Sequence, residues 1–260
     1  MTELRVFTIA DQIDEAKACR TVRFRGSLHA DPGQFVMVWL PREDEFPMSV
    51  SYVGEGFGLT YKIVGEGTRS LSTMNPGEKV GIRGPYGRGF EVQGRRMLAI
   101  AGGVGMAVIA PLVDLAMEER ADVDLVLGAK TESELIMKER CEMAGANVHI
   151  STDDGSSGTK GLATDIARRL LQTAEYDCVC ACGPEKMIVS AFRLSEEHGL
   201  PFQASLERYI KCGIGICDSC AIDGRHVCSE GPVFSGDVLA SLEDLGRRRL
   251  SPSGRIVSLD

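Results

Sequence analysis

No apolar run in this 260-residue chain approaches the roughly 20 residues that a membrane-spanning helix needs. The opening Met1-Thr-Glu-Leu-Arg-Val carries no apolar core of the kind a secretory leader has, so nothing there points to export. Positive charge is in deficit, with 29 Lys and Arg against 37 Asp and Glu, a net charge of −8. That balance argues against a nucleic-acid-binding surface and fits a soluble protein open to a protein partner. A second C-x2-C pair is missing too. Cys217 and Cys220 form the one such pair, whereas a structural zinc knuckle prefers two, separated by a longer loop.

What is present gathers around four cysteines. Cys212-Gly-Ile-Gly-Ile-Cys217-Asp-Ser-Cys220 is followed by Cys228, four thiols within seventeen residues spaced x4, x2 and x7. C-x4-C-x2-C…C is the spacing of a plant-type [2Fe–2S] site. Gly213 and Gly215 suit a backbone curling round an inorganic core, because Gly tolerates positive φ and brings no Cβ against sulfide. Amide N–H groups in such a loop can face the cluster sulfurs and stabilise their charge. Zinc and a pair of disulfides are the competing readings. The lone C-x2-C weighs against zinc, and disulfides need an oxidising compartment for which nothing else argues. Cys228 completes the set as the only cysteine downstream. The remaining five of nine, at positions 19, 141, 178, 180 and 182, read as reduced thiols of a cytoplasmic protein.

With 260 residues the chain can hold separate cores, and three spans are expected: 1–91, 92–204 and 205–260. The first reads as short strands with Gly and Pro punctuation, including Arg20 to Arg25 and Gln34 to Leu40, which predicts an antiparallel barrel. Within it, Phe46-Pro47-Met48-Ser49 puts small hydroxyls in a sheet. Gly65-Glu-Gly67-Thr68-Arg69-Ser70 reads as a glycine turn opening a short helix, where exposed amides and hydroxyls can cradle a pyrophosphate. Gly81 to Phe90 is a third glycine-rich stretch. In the second span, the apolar run Arg95 to Ala101 feeds Gly102-Gly103-Val-Gly105 and an apolar helix over 106–119 that contains Pro111. Strand, glycine turn and helix make the first unit of a dinucleotide-binding fold, although the full G-x-G-x-x-G is absent. Strands at 123–128, 148–151 and 177–184 alternate with helices at 133–144, 162–173 and 185–198, which predicts a parallel sheet covered on both faces. Cys178, Cys180 and Cys182 at period two read as one face of a core strand rather than a metal site. Cys182, just before Gly183-Pro184, lies at a strand's carboxyl end, where open α/β sheets bind ligands.

In this order the segments resemble the ferredoxin–NADP reductase superfamily, and the C-terminal motif resembles the iron–sulfur electron-transfer subunits of NAD-dependent (class 1B) dihydroorotate dehydrogenases. The residues that carry the narrower likeness are Ser205-Leu-Glu-Arg-Tyr-Ile-Lys-Cys212 through Cys220, and Cys228-Ser-Glu-Gly-Pro-Val-Phe234. The resemblance implies an α+β multidomain chain with an FAD-binding barrel, an NAD-binding α/β domain and a small [2Fe–2S] module. It assigns the flavin motif to Pro47, Met48 and Ser49, the flavin-contacting strand to Thr60, Tyr61 and Lys62, and the pyrophosphate turn to Gly67 and Thr68. It assigns NAD(H) to Gly102, Gly103, Gly105, Cys182, Gly183 and Pro184, and the cluster to Cys212, Cys217, Cys220 and Cys228. No catalytic acid or base is implied here. The implied partner is an FMN-containing dihydroorotate dehydrogenase subunit, in a cytoplasmic heterotetramer of two of each chain, with neither nucleic acid nor membrane involved. Ferredoxin- or hydrogenase-linked relatives share these motifs, and a redox-sensing module without turnover is the non-enzymatic rival. Two departures stand out: Phe46 replaces a common Arg, leaving Lys62 or Arg69 to supply a cation, and Val108 replaces a common Pro. The short gap between Cys220 and Cys228 implies a tight hairpin. Asp153 and Asp154, after the strand at 148–151, favour NAD over NADP.

Overall fold

A computed structural model describes residues 3–41 and 43–259; Met1, Thr2 and Asp260, which fall within the expected spans, lie outside the described residues. Six antiparallel strands close into a barrel: β1 (Arg5–Ala16), β2 (Cys19–Phe24), β3 (Phe35–Trp39), β4 (Glu45–Tyr52), β5 (Gly58–Lys62) and β6 (Lys79–Tyr86). Their order around the barrel is β1-β2-β5-β4-β3-β6. Alternation decides which side chains fill it, since successive strand residues face opposite sides. Ile9, Val22, Phe24, Val36, Val50, Leu59 and Tyr61 point inward. Phe24 and Phe57 stack at 4.9 Å and are fully buried, each worth about 1.5–3 kcal/mol of transfer free energy. Helix α1 (Glu66–Thr73) bridges β5 and β6.

The second sheet is built from β7 (Arg96–Gly102), β8 (Asp122–Ala129), β9 (Asn147–Thr152), β10 (Thr159–Lys160), β11 (Cys178–Cys182) and β12 (Phe202–Ser205), all parallel. Short β13 (Ala221–Ile222) and β14 (Arg225–His226) form a hairpin, and β15 (Val233–Ser235) then joins the large sheet antiparallel to β12, giving the order β10-β9-β8-β7-β11-β12-β15. Met97, Ala99, Ala101, Cys178, Cys180 and Cys182 pack one face, with α2 (Met106–Glu118) and α3 (Lys138–Ala144). Leu98, Ile100, Val179 and Ala181 pack the other, with α4 (Ala163–Thr173) and α5 (Glu185–Glu197). The cysteine ladder is thus one side of a core strand. Every residue from Met106 to Val113 is buried, because α2 lies between the sheet and barrel strand β4. A helix stretch covered on every side needs no polar stripe, which is why residues 106–113 are apolar throughout, with the first charge at Asp114.

One expectation is corrected. The helix expected over 133–144 begins only at Lys138, after a turn at Glu132–Glu134 and an extended Leu135. The break delivers Ile136 and Met137 to the core, with Met137 at φ 56. The strand at 202–205 and its partner at 233–235 carry no sequence signal strong enough to expect them. Their pairing means the segment after the cysteines returns to the large sheet rather than standing apart from it.

Candidate metal centre and nucleotide cleft

The cysteine loop has almost no regular structure between β12 and β13, so its shape rests on glycine and sulfur. Gly213 and Gly215 adopt φ 74 and 76. A Cβ on Gly215 would come within 2.6 Å of Ser229 Oγ, and one on Gly213 within 3.2 Å of Met37 Cγ on the barrel. The loop therefore sits on the outer face of the barrel through positions where only glycine fits without displacement. Backbone N–H groups point at sulfur: Ile214 donates to Cys212 Sγ at 3.4 Å, Gly215 to Cys228 Sγ at 3.2 Å, and Cys228 to Cys220 Sγ at 3.5 Å. At Cys212, burial disfavours the thiolate, but the amides of Ile216 and Ile214 and the neighbouring Cys217 outweigh it and bring the thiol down to about 6. Burial and the adjacent Cys220 push Cys228 up to about 12.

Cys217 is close enough to favour the Cys212 thiolate, while Cys220 and Cys212 both disfavour that of Cys228. Among the described residues, no three His, Cys, Asp or Glu converge to hold a single metal ion. Four thiols on one short loop, with amides aimed at sulfur, suit a two-iron core held by four thiolates. Cys220 and Cys228 are buried while Cys217 is exposed, so one side of the centre is open to a partner. Ile216, 76% exposed, and Ile214 flank that opening. The β13–β14 hairpin closes the other side through a two-residue Asp223-Gly224 turn with both φ positive, the geometry that short hairpins favour.

The candidate nucleotide site lies at the carboxyl ends of the adjacent strands β7 and β11. Gly102 and Gly105 pack against Cys182, Gly183 and Pro184 there. A Cβ on Gly105 would overlap the Cys182 carbonyl, and one on Gly102 would reach Pro184 Cδ at 2.7 Å. Gly103, at φ 54, instead has nothing within 4 Å of an added Cβ and faces open space at the start of α2. Burial pushes the Cys182 thiol up to about 12, so it sits there as a neutral group. At the far side of the sheet's edge, Asp154 accepts from both the N–H and hydroxyl of Ser156, at 2.9 and 2.6 Å. Asp153 makes no such bond and is exposed.

On the barrel, the motif residues divide by facing. Pro47 and Ser49 point outward and are half-buried, whereas Met48 points into the barrel core and can offer only its backbone. Tyr61 also points inward, donating to Gln12 Oε1 at 3.0 Å, and Thr60 is buried against Thr21 and Ser51. Gly67 lies on the Phe46 ring, 2.5 Å from where a Cβ would sit, so Phe46 occupies the space beneath the turn. Thr68 Oγ1 accepts from the N–H of Val64 at 3.1 Å and of Gly65 at 3.0 Å, capping its own helix. Neither expected cation is held in that turn's interior. Lys62 reaches Glu134 of the nucleotide domain at 3.8 Å, and Arg69 donates to the Val64 carbonyl at 3.3 Å.

One pairing near the cluster has no sequence signal. Arg208, four residues before Cys212, is buried and makes a bidentate ion pair with Glu185, which follows Pro184; the distances are 2.6 and 3.0 Å. Glu185 also accepts from the N–H of Gly246 in the tail at 2.6 Å. Nucleotide loop, cluster segment and tail are thereby tied at one carboxylate.

Comparison with known proteins agrees with this geometry. Residues 207–240 match the iron–sulfur cluster binding domain of dihydroorotate dehydrogenase B, and residues 99–192 match the oxidoreductase NAD-binding domain. A protein of Methanothermobacter thermautotrophicus named "Probable dihydroorotate dehydrogenase B (NAD(+)), electron transfer subunit" is 43% identical, covering 97% of this chain and 96% of its own. One of the same name from Thermoplasma acidophilum is 42% identical, covering 96% and 97%. This chain belongs to that family. Among solved structures, a NADH-dependent reduced ferredoxin–NADP oxidoreductase studied for flavin-based electron bifurcation superposes with a TM-score of 0.80 at 29% identity, covering 89% of this chain and 88% of that one. The cytochrome b5 reductase domain of Ulva prolifera nitrate reductase, 17% identical with a TM-score of 0.64, shares the fold over 76% of this chain and 94% of its own. Among the described residues, no helix of this family member is long and apolar enough to cross a membrane.

Proposed function

We propose that this chain carries electrons between NAD(H) and the FMN of a dihydroorotate dehydrogenase catalytic subunit, through its own FAD and [2Fe–2S] centre. The observation that carries the reading is the loop of four thiols, its amides donating to sulfur, seated against the flavin-type barrel with Cys217 exposed. FAD, when bound, exchanges two electrons with the nicotinamide and single electrons with the cluster, a conversion the protein itself cannot supply. The chain's own part is to hold these groups at fixed separation and to shield them. Cys212, Cys217, Cys220 and Cys228 hold the iron, and the N–H groups of Ile214 and Gly215 stabilise sulfide and thiolate charge.

Pro47, Ser49 and Gly67, with the backbone of Met48 and of Thr60 to Lys62, form the flavin contact surface. Thr68 contributes by fixing the amides of its helix start rather than by its hydroxyl, which is committed to capping. Gly102, Gly103, Gly105, Cys182, Gly183 and Pro184 line the dinucleotide cleft. The free carboxylate of Asp153 favours a ribose hydroxyl, hence NAD. The spans 1–91, 92–204 and 205–260 serve as the flavin, nucleotide and cluster units, the last sharing the nucleotide sheet through β15. Oxidation of dihydroorotate to orotate, a step of pyrimidine biosynthesis, belongs to the partner, in a cytoplasmic assembly of two chains of each kind. The test is to purify the chain with that partner and add dihydroorotate without oxygen. The flavin of this chain should bleach. Reduction by ferredoxin but not by dihydroorotate would transfer the reading to a ferredoxin-linked acceptor.

A further inference from the structure

The seam between barrel and nucleotide sheet is smooth on its barrel side. Thr21, Ser51 and Thr60 alternate with the core residues Val22, Val50 and Leu59, so they face outward, yet all three are buried. Their hydroxyls bond to one another at 2.6 and 2.8 Å, to Glu15 at 2.6 Å and to the Gly58 carbonyl at 3.1 Å. Every one of these partners belongs to the barrel. Helix α2, which lies over this surface, is apolar from Met106 to Val113, with its first charge at Asp114. Such a seam resists separation but offers little against sliding.

Arg140 of α3 crosses it. Its guanidinium donates to the Ser51 carbonyl at 2.7 Å and to Asp114 of α2 at 2.5 and 3.2 Å. It also lies 3.9 Å over the Tyr52 ring, whose other contact is Arg23 at 4.0 Å. The Lys62–Glu134 pair also crosses, but at 3.8 Å between half-exposed side chains, where solvent screening leaves little energy. Ser51 is two residues from Ser49, and α2 begins directly after Gly105. A partly buried fork therefore ties the strand carrying the flavin contact to the helix that starts at the dinucleotide loop.

We propose that Arg140 is a positioning residue for hydride transfer, fixing how the flavin strand stands against the nucleotide helix. The inference rests on the NAD(H)-to-FAD reading above. In that step the hydride leaves nicotinamide C4 with its electron pair, giving NAD+, and hydrogen and pair arrive on the flavin, reducing it by two electrons. A displacement of about 1 Å at such a step costs on the order of 100-fold in rate.

The test uses the full chain in complex with its partner, as wild type, Arg140→Met, Arg140→Lys and Asp114→Asn. Flavin reduction by NADH, followed in a rapid-mixing experiment, should slow about 10- to 100-fold in Arg140→Met. The slowing should be less in Arg140→Lys and Asp114→Asn, which each keep part of the fork. FAD content, iron content and NAD+ affinity should stay within about twofold, and the isotope effect with 4-deuterated NADH should rise as geometry worsens. Amide exchange across residues 106–118 should quicken with or without cofactors bound, a readout independent of turnover. If Arg140→Met does not fold, the two milder variants carry the same comparison. Unchanged rate, isotope effect and exchange would overturn the inference, as would a loss confined to NADH affinity. A wild-type complex that NADH does not reduce would instead sink the reading beneath it.

Discussion

The two glycine loops of this chain, 102–105 and 212–217, look alike in sequence and are held in opposite ways. The first is fixed by the fold. Gly102 and Gly105 are pressed against Pro184 and Cys182 at the carboxyl ends of neighbouring buried strands, so the shape of this turn is set by packing alone. The second has almost no regular structure to hold it, and its amides donate to thiol sulfur rather than to carbonyls of a regular element. Such a loop takes its stability from the metal it binds. A preformed cradle suits a diffusible substrate that must enter and leave, whereas a metal-stapled loop suits a resident group.

The contrast breaks most visibly at Cys217. Cys217→Ser should abolish the spectrum of the reduced cluster and loosen residues 205–234, raising their amide exchange, while the sheet from 96 to 205 keeps its protection. NADH should still reduce the bound flavin, and electron delivery to the partner should fail. Normal transfer from NADH to the partner's FMN in this variant would remove the cluster from the path altogether.

The first loop is broken by volume rather than by metal loss. Gly105→Ala puts a methyl onto the Cys182 carbonyl, so either the loop or β11 must shift, and NADH affinity should fall about tenfold or more, the scale of a misfit costing at least 1.4 kcal/mol. Gly103→Val adds its side chain into open space, at a φ of 54 that costs about 1–2 kcal/mol for a non-glycine residue. Its fold should survive, and its loss should appear as obstruction of the dinucleotide. Titration of NAD+ with unchanged FAD and iron content checks both; equal affinities in variants and wild type would place the nucleotide elsewhere.

How far the sequence could be read follows the same divide between local and distant causes. The cluster spacing, the turn at 102–105 and the alternating cysteines of β11 are short-range patterns with direct physical meaning, and all three are legible. The faces of Met48 and Tyr61 follow from period two once the strand register is known, but the register depends on closure of the whole barrel. Strand β1, with Asp11, Gln12, Asp14 and Glu15 along it and two register shifts against β2, lacks clean alternation and is invisible as a strand. Strand β15 is three residues long and exists only because the chain returns to pair with β12. The Arg140 fork joins residues 26 and 89 positions apart, which no local pattern can announce.

The finest test of the contrast lies in the other thiols. Cys19, Cys141 and Cys182 sit in the packed part of the molecule, and burial pushes them up to about 11, 12 and 12. An acid whose pKa is raised by folding keeps its proton in the native state after the unfolded chain has lost it. The native state then binds more protons above the ordinary thiol value, and stability falls as pH rises through that window. Between about pH 9 and 11 each such thiol should subtract up to about 1.4 kcal/mol per pH unit, less where it relaxes. The measurement pairs denaturant melts from pH 7 to 10.5 with alkylation of iron-free protein at pH 8. Cys217 should be modified quickly, while Cys19, Cys141 and Cys182 should react only as fast as the protein unfolds. Replacing Cys141 by Ala should flatten the alkaline slope by one thiol's share. A melt series with no alkaline loss, or rapid labelling of Cys182 in the folded chain, would mean that the cleft beside Gly105 is not preformed, and the distinction between the two loops would fall.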